Sequence, residues 1–384
     1  MNMRLNSIKL STMPWRGVAR LPLLGVLCFA MGFISCEPIF DKAPDCRLGV
    51  SLRFVYDYHM EPGANAFHSN VDCVNVLIFD SDYNFIGQQS ESRDVLRDEN
   101  YRMELLLDEG DYHLVVYGGL DCDKSAFTFS PDWLTRSAAP QTRDDIRVTL
   151  PLTDGVSEAQ LHDIEKHTGG LFYGIQDISL TEHDYALELR EVTVPMMKDT
   201  NNIQVVLQQI SAPYQIDIKD YDIRIIDDNF VLDGYNNPVH IATDDFQPVY
   251  KPYATYNRVT GYVEAGREGT LAEEDNDRQV QVACAEFSTS RLFFDHLPTA
   301  YLVVTTRPAD EENGTPTEII RLPLIEYLAM IRGYGDSWIK DDQEFLDRQS
   351  RWSMIFFLQH NTWASARIAV NWWTVRVNEI VLDY

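Results

Sequence analysis

The chain has 384 residues, with 32 Lys+Arg against 59 Asp+Glu and a formal net charge of -27. Phosphate backbones repel such a surface, which argues against nucleic acid as a partner, and anionic lipid headgroups are equally unable to hold it electrostatically. The length exceeds the roughly 250 to 300 residues at which a single hydrophobic core stops growing, so two cores are expected.

Residues 1–35 read as an export signal. Arg4, Lys9, Arg16 and Arg20 form a basic head without acidic residues, and an apolar run from Leu21 ends Phe33-Ile34-Ser35-Cys36. Cleavage needs a small side chain before the scissile bond, and a cysteine just after it can take a diacylglyceryl group on its thiol. Ser35-Cys36 meets both needs, whereas bulky Leu27 precedes Cys28. The pattern resembles a bacterial lipobox with Phe33 in place of the usual Leu. A retained helix fits less well, because the run falls short of the ~20 residues a membrane helix needs and meets Glu37 and Pro38 at once. An ordinary cleaved signal with an incidental cysteine is the other alternative. The expectation is cleavage between Ser35 and Cys36, acyl chains on Cys36 as the membrane attachment, and a spacer over residues 36–45.

The thiols that remain are Cys46, Cys73, Cys122 and Cys284. Export permits disulfides. Cys73 opens one apolar run and Cys122 follows another, so antiparallel neighbours would bring that pair together; four buried thiols are the open alternative. No Cys or Cys/His spacing suggests zinc.

Leu48, Val50, Leu52, Phe54 and Tyr56 alternate as a half-buried strand, and Val71 to Asp80 is apolar on both parities, as a strand covered on both faces would be. Ser81 to Asn84 turns the chain into Phe85-Ile86. Further strands are expected at 101–107, 112–117, 146–150, 171–178 and 185–194. Around residues 195–200 the pattern restarts, with Ile203, Val205 and Leu207 alternating. Tyr221 to Ile226 and Phe230 to Leu232 are expected to form a hairpin around Asp227-Asp228-Asn229. Strands follow at 250–263, 280–287, 301–306, 317–322, 351–358, 367–371 and 374–381. Only 324–332 and 341–348 read as helices, the second opened by Asp341-Asp342. Many short strands with few helices predict an all-β protein of β-sandwiches, divided at 46–194 and 195–384.

No constellation of catalytic residues stands out: GxSxG, GxxxxGK[ST] and HExxH are all missing, so no enzyme, cofactor or metal is expected. Glu273 to Asp277 lacks EF-hand spacing and reads as a solvated loop. His162 and His167 read as surface residues. Trp338, Trp352, Trp363, Trp372 and Trp373 crowd the C-terminal part. Burial in a sandwich core is their simpler reading, with sugar stacking the alternative.

Three stretches carry a family resemblance: Phe54-Val55-Tyr56-Asp57-Tyr58-His59-Met60, then Asp111-Tyr112-His113-Leu114-Val115-Val116-Tyr117-Gly118-Gly119-Leu120, then Gln343-Glu344-Phe345-Leu346-Asp347-Arg348-Gln349 leading into Met354-Ile355-Phe356-Phe357-Leu358. With the lipobox in front, the chain resembles the FimB-like fimbrial anchor subunits of type V pili. The resemblance implies two tandem transthyretin-like β-sandwich domains. It also implies a non-enzymatic outer-membrane lipoprotein at the cell surface, which fixes a fimbrial shaft and helps to end its growth. Shaft subunits would join it by β-strand addition. In shaft relatives a protease removes the first strand to open the groove; here the same cut would sever the body from Cys36, so the first strand should stay in place. The last segment, Thr374 to Tyr384, is either a closing strand or an edge that engages a neighbour. A surface lipoprotein that binds glycan or another adhesin ligand is the alternative function.

Overall fold

The computed structural model describes residues 46–60, 65–120, 126–129, 142–151, 158–160, 170–211, 214–260, 280–295, 300–308, 314–332, 338–360, 362–370 and 373–378. Ser35, Cys36, Cys122, His162, His167, the acidic loop at 273–277 and Trp372 lie outside them. Cys46–Tyr384 forms one compact unit.

In chain order the first half carries β1 (Gly49–Val55), α1 (Phe67–Asn70), β2 (Cys73–Phe79), β3 (Phe85–Ser92), α2 (Arg93–Leu96), β4 (Met103–Leu106), β5 (Gly110–Gly118), β6 (Thr128–Phe129), β7 (Arg147–Thr149), β8 (Glu158–Gln160), β9 (Phe172–Leu180) and β10 (Arg190–Lys198). The second half carries β11 (Thr200–Gln209), β12 (Tyr221–Ile226), β13 (Val231–Asp233), β14 (Val249–Lys251), β15 (Ala254–Thr260), β16 (Val280–Ser290), β17 (Tyr301–Thr306), β18 (Thr317–Pro323), α3 (Leu324–Ala329), α4 (Asp342–Arg348), β19 (Arg351–Gln359), β20 (Thr362–Val370) and β21 (Trp373–Asn378). The protein is all-β, built as sandwiches with a few short helices.

A seven-stranded sheet, ordered β3-β2-β5-β9-β10-β1-β4, folds over on itself at β10. The first part of β10 runs parallel to β1, with Arg190 to Pro195 opposite Val50 to Val55, and Met196 to Lys198 then pair with β9. Pro195 cannot donate to a ladder and sits where the pairing changes hands. Gly174 lies at the crossing, where a Cβ would come within 2.6 Å of the Pro195 carbonyl oxygen. Between the folded halves lie Leu52, Phe54, Val76, Leu114, Val116 and Met196, all buried. The double apolar parity of β2 has its reason here: Val74, Val76 and Ile78 enter this core, while Leu77 and Phe79 enter a second one with Phe129, Val148 and Leu232 of a small β13-β7-β6 sheet.

Asp199 alone separates β10 from β11, and beyond it the chain builds a six-stranded sheet, β15-β16-β11-β19-β20-β21, and four strands of a five-stranded one, β18-β17-β12-β14-β8, whose edge strand β8 comes from before it. Their shared core contains Val205, Phe287 and Phe356 from one sheet and Ile225, Leu302 and Ile320 from the other.

The hairpin expected around Asp227-Asp228-Asn229 does not form. Strand β12 pairs with β14 and β17, and β13 pairs with β7. All three polar residues are buried, and the Asp228 carboxylate accepts the backbone N–H groups of Ile241 and Ala242, contacts a solvent-facing turn would not supply. The strand expected over 250–263 is broken at Pro252 into β14 and β15, which join different sheets.

Leu52 is fully buried and Ile86 is 50% exposed. Leu52→Ala should cost about 2–5 kcal/mol in urea unfolding, and Ile86→Ala about 0.5 kcal/mol or less.

Candidate functional site

Strand β1 is the first strand of the described residues, and both of its edges are occupied. On one side Val50 to Val55 pair with β10; on the other Gly49 to Leu52 pair antiparallel with Leu106 to Met103 of β4. Gly49 has φ +152°, and a Cβ there would lie 2.1 Å from the Leu105 carbonyl oxygen, so only glycine lets β4 approach. Leu48, Val50, Leu52, Phe54 and Tyr56 are all buried. Each apolar side chain so buried contributes roughly 1.5–3 kcal/mol, which makes the seat of β1 worth on the order of 10 kcal/mol.

Both ends of the strand are pinned. At the entry, Arg47 and Ala186 exchange backbone hydrogen bonds of 2.9 and 3.1 Å, and the Arg47 guanidinium grips both carboxylate oxygens of Glu104. That ion pair is solvent-exposed and holds the Glu104 carboxyl below its ordinary range, through the hydrogen bond first and the charge second. At the exit, Asn65 extends the ladder: its Oδ1 accepts from the N–H groups of Tyr56 and Phe67, and its Nδ2 donates to the Phe54 carbonyl at 3.0 Å.

Beyond Tyr56 the chain runs to the place where the three stretches carrying the family resemblance converge. Tyr58 lies against Arg348 of α4, with the guanidinium carbon 3.9 Å from the ring centroid. Burial pushes the Tyr58 phenol up, and Asp347 and Glu344 add to it. Asp347, buried, takes a bidentate ion pair from Arg291 at 2.8 Å, and Arg291 also donates to the Asn236 carbonyl at 2.7 Å. Asn236 in turn donates to Oδ1 of Asp199 at 3.0 Å, and the Asp199 N–H donates to the Leu171 carbonyl at 2.7 Å. Tyr117 of the second stretch faces the same region from β5. Among the described residues its hydroxyl and Oδ2 of Asp199 have no hydrogen-bond partner. The one residue between β10 and β11 is therefore a fully buried carboxylate, and burial pushes it up to about 7 against the pull of Arg291. None of this network was visible in the sequence.

Cys73 is disulfide-bonded, Cys46 is exposed and free, and Cys284 is a buried thiol. The Cys73 sulfur lies 3.4 Å from the carbonyl of Leu120, and the Gly119 N–H donates to the Cys73 carbonyl. At the other end of the chain, β21 pairs with β20 and, among the described residues, closes the order of the six-stranded sheet. Trp352 is buried and donates from Nε1 to Asn201, Trp363 is half-buried against Phe356, and Trp338 is 54% exposed. Among the described residues no group of His, Cys, Asp or Glu could hold a metal ion, and no helix is long and apolar enough to cross a membrane.

Stacked sheets, a first strand walled in on both edges and polar contacts spent on joining the halves define a structural β-sandwich protein. The profile of the family described as "Fimbrillin-A associated anchor proteins Mfa1 and Mfa2" matches residues 43–379, and the chain belongs to that family. A structure from Bacteroides thetaiotaomicron described as a candidate adhesin is 38% identical, with 87% of this chain and 99% of that one covered at a TM-score of 0.69. A second from the same organism, described as a candidate polysaccharide-binding protein, is 26% identical over 86% of this chain and 98% of that one, TM-score 0.63. The fimbrial anchor protein Mfa2 of Porphyromonas gingivalis, 17% identical over 87% and 100% of the two chains with a TM-score of 0.59, shares the fold. No curated protein matches. The protein is thus a fimbria-associated component of the anchor family, placed at the cell surface.

Asp199 holds its proton in the folded state up to about pH 7, against an ordinary value of 3.8. A raised carboxylate costs stability as pH climbs from the unfolded toward the folded value, here by as much as roughly 4 kcal/mol at about 1.4 kcal/mol per pKa unit. Thermal melts should therefore fall as pH rises from 5 to 7.5, and Asp199→Asn should flatten that decline.

Proposed function

We propose that the protein fixes a fimbrial shaft to the outer membrane through acyl chains on Cys36 and closes the fibre at that end. The observation that carries the reading is the seat of β1. Strand addition requires a gap in a sheet for a neighbour's segment to fill, and β1 already fills both of its ladders from within the chain. At most about 35 Å of extended chain joins Cys36 to Cys46, so a cut that freed β1 would also free the body from its lipid. Shaft subunits then add at the other end, where β21 offers the outer edge of the six-stranded sheet. An edge left unpaired among the described residues is a ready template for another chain's strand.

The same reading takes the chain as two sandwiches, 46–194 and 195–384, behind a signal of residues 1–35 cut between Ser35 and Cys36 and a lipidated spacer over 36–45. Cys122 is proposed as the partner of Cys73, supported by the approach of the Cys73 sulfur to Leu120. The protein works without catalysis or cofactor. A second reading, a surface lipoprotein that binds glycan, draws support from the polysaccharide-binding description of the Bacteroides thetaiotaomicron relative and from exposed Trp338.

Cys36→Ala should release a folded, soluble body into the medium together with its fimbriae, as read by immunoblotting of membrane and medium fractions. A variant that stays in the membrane fraction with fimbriae attached contradicts the lipid-anchor role.

A further inference from the structure

Among the described residues, three of the six most exposed large apolar side chains are Leu106 at 59%, Leu187 at 55% and Tyr185 at 51%. All three lie where the described chain begins. Ala186 exchanges backbone hydrogen bonds with Arg47, so Tyr185 and Leu187 flank that bridge, and Leu106 at the end of β4 stands opposite Gly49, two residues further on. The pairing thus gathers three apolar side chains around a three-residue length of chain. Large apolar side chains collected at one rim mark a contact surface, whereas single exposed ones do not.

The charges in the same place are matched rather than displayed. Arg47 pairs with Glu104, and Arg190 pairs with Asp184 at 3.8 Å. Glu182 and Glu188 complete the turn between β9 and β10, which therefore carries no positive excess and does not fit anionic headgroups. What remains for it is apolar contact. Tyrosine suits a membrane boundary, because its ring is apolar and its hydroxyl stays wet. The position of the rim names the occupant: the ten residues from Cys36 lead to Cys46, the neighbour of Arg47, and span at most about 35 Å. A tether that short keeps the rim at high local concentration beside the bilayer, so weak insertion is enough.

We propose that Leu106, Tyr185 and Leu187 form a membrane-seating surface that inserts into the headgroup boundary of the bilayer holding the acyl chains. The inference rests on lipidation of Cys36 and goes beyond it, since a tether alone leaves the body free to tumble. The test uses the full lipidated chain in phosphatidylcholine vesicles doped with a diazirine-bearing phosphatidylcholine. Flotation reads the acyl anchor, and mass-spectrometric mapping of photoadducts reads the seating surface. Adducts should fall on peptides containing Leu106 and residues 185–187. The combined variant Leu106→Ser, Tyr185→Ser, Leu187→Ser should float as before with an unchanged thermal midpoint, and those adducts should drop by about tenfold. A chain that floats with adducts confined to its lipid-bearing N-terminus keeps the anchor and overturns the seating surface. A chain that does not float overturns the anchor and this proposal together. A wild-type dimer in detergent that the combined variant abolishes would show that the surface faces a second copy of the chain, and would overturn the proposal as well.

Discussion

The seat of β1 between β4 and β10 is the constraint on which the rest of the molecule depends. It closes the core of the first sheet system through Val50, Leu52 and Phe54 and gives β10 a partner along most of its length. It also delivers the chain from its entry at Arg47 to the region of Tyr58 and Arg348. A burial worth on the order of 10 kcal/mol is as large as the whole net stability of an ordinary domain. The strand cannot leave without unfolding what it supports. Occupancy of both edges also makes it unavailable as a receptor for another chain's strand, the property that the proposed tethered chain end requires.

The second consequence follows from where β1 leads. Tyr58, Tyr117, Asp347 and Arg348 belong to the three stretches that carry the family resemblance; Tyr117 and Asp347 lie near Asp199, and Tyr58 and Arg348 adjoin Asp347. Their common service is to join the sheets on either side of a one-residue link. Arg291 and Asp347 satisfy each other with bidentate geometry, whereas among the described residues Asp199 has one oxygen without a hydrogen-bond partner, and its proton is held into the neutral range. A neutral carboxyl at that place spares the fold an isolated buried charge.

Much of the fold was legible in the sequence because the signal was local. The alternation from Leu48 to Tyr56, the two-faced run of β2 and the Asp341 cap of α4 all appear where periodicity and capping place them. The failures share one cause. Asp227-Asp228-Asn229 looks like a turn, yet the side chains of Asp228 and Asn229 are spent on backbone groups more than ten residues away, and β13 leaves for a sheet begun by β7. The Arg348 stack, the Arg291–Asp347 pair and the Trp352–Asn201 hydrogen bond join residues far apart in the chain, so no window of sequence contains them. The resemblance pointed to the right stretches without giving the reason they recur together, which is their convergence in space.

The most direct measurement is mass spectrometry of the N-terminus of the subunit recovered with intact fimbriae from the cell surface. A chain that starts at an acylated Cys36 and runs unbroken through Tyr56 is the expected result, with β1 still in its seat. A fimbria-bound chain that starts beyond Val55, without lipid, would show that β1 is removed during assembly and would contradict the role of a tethered chain end.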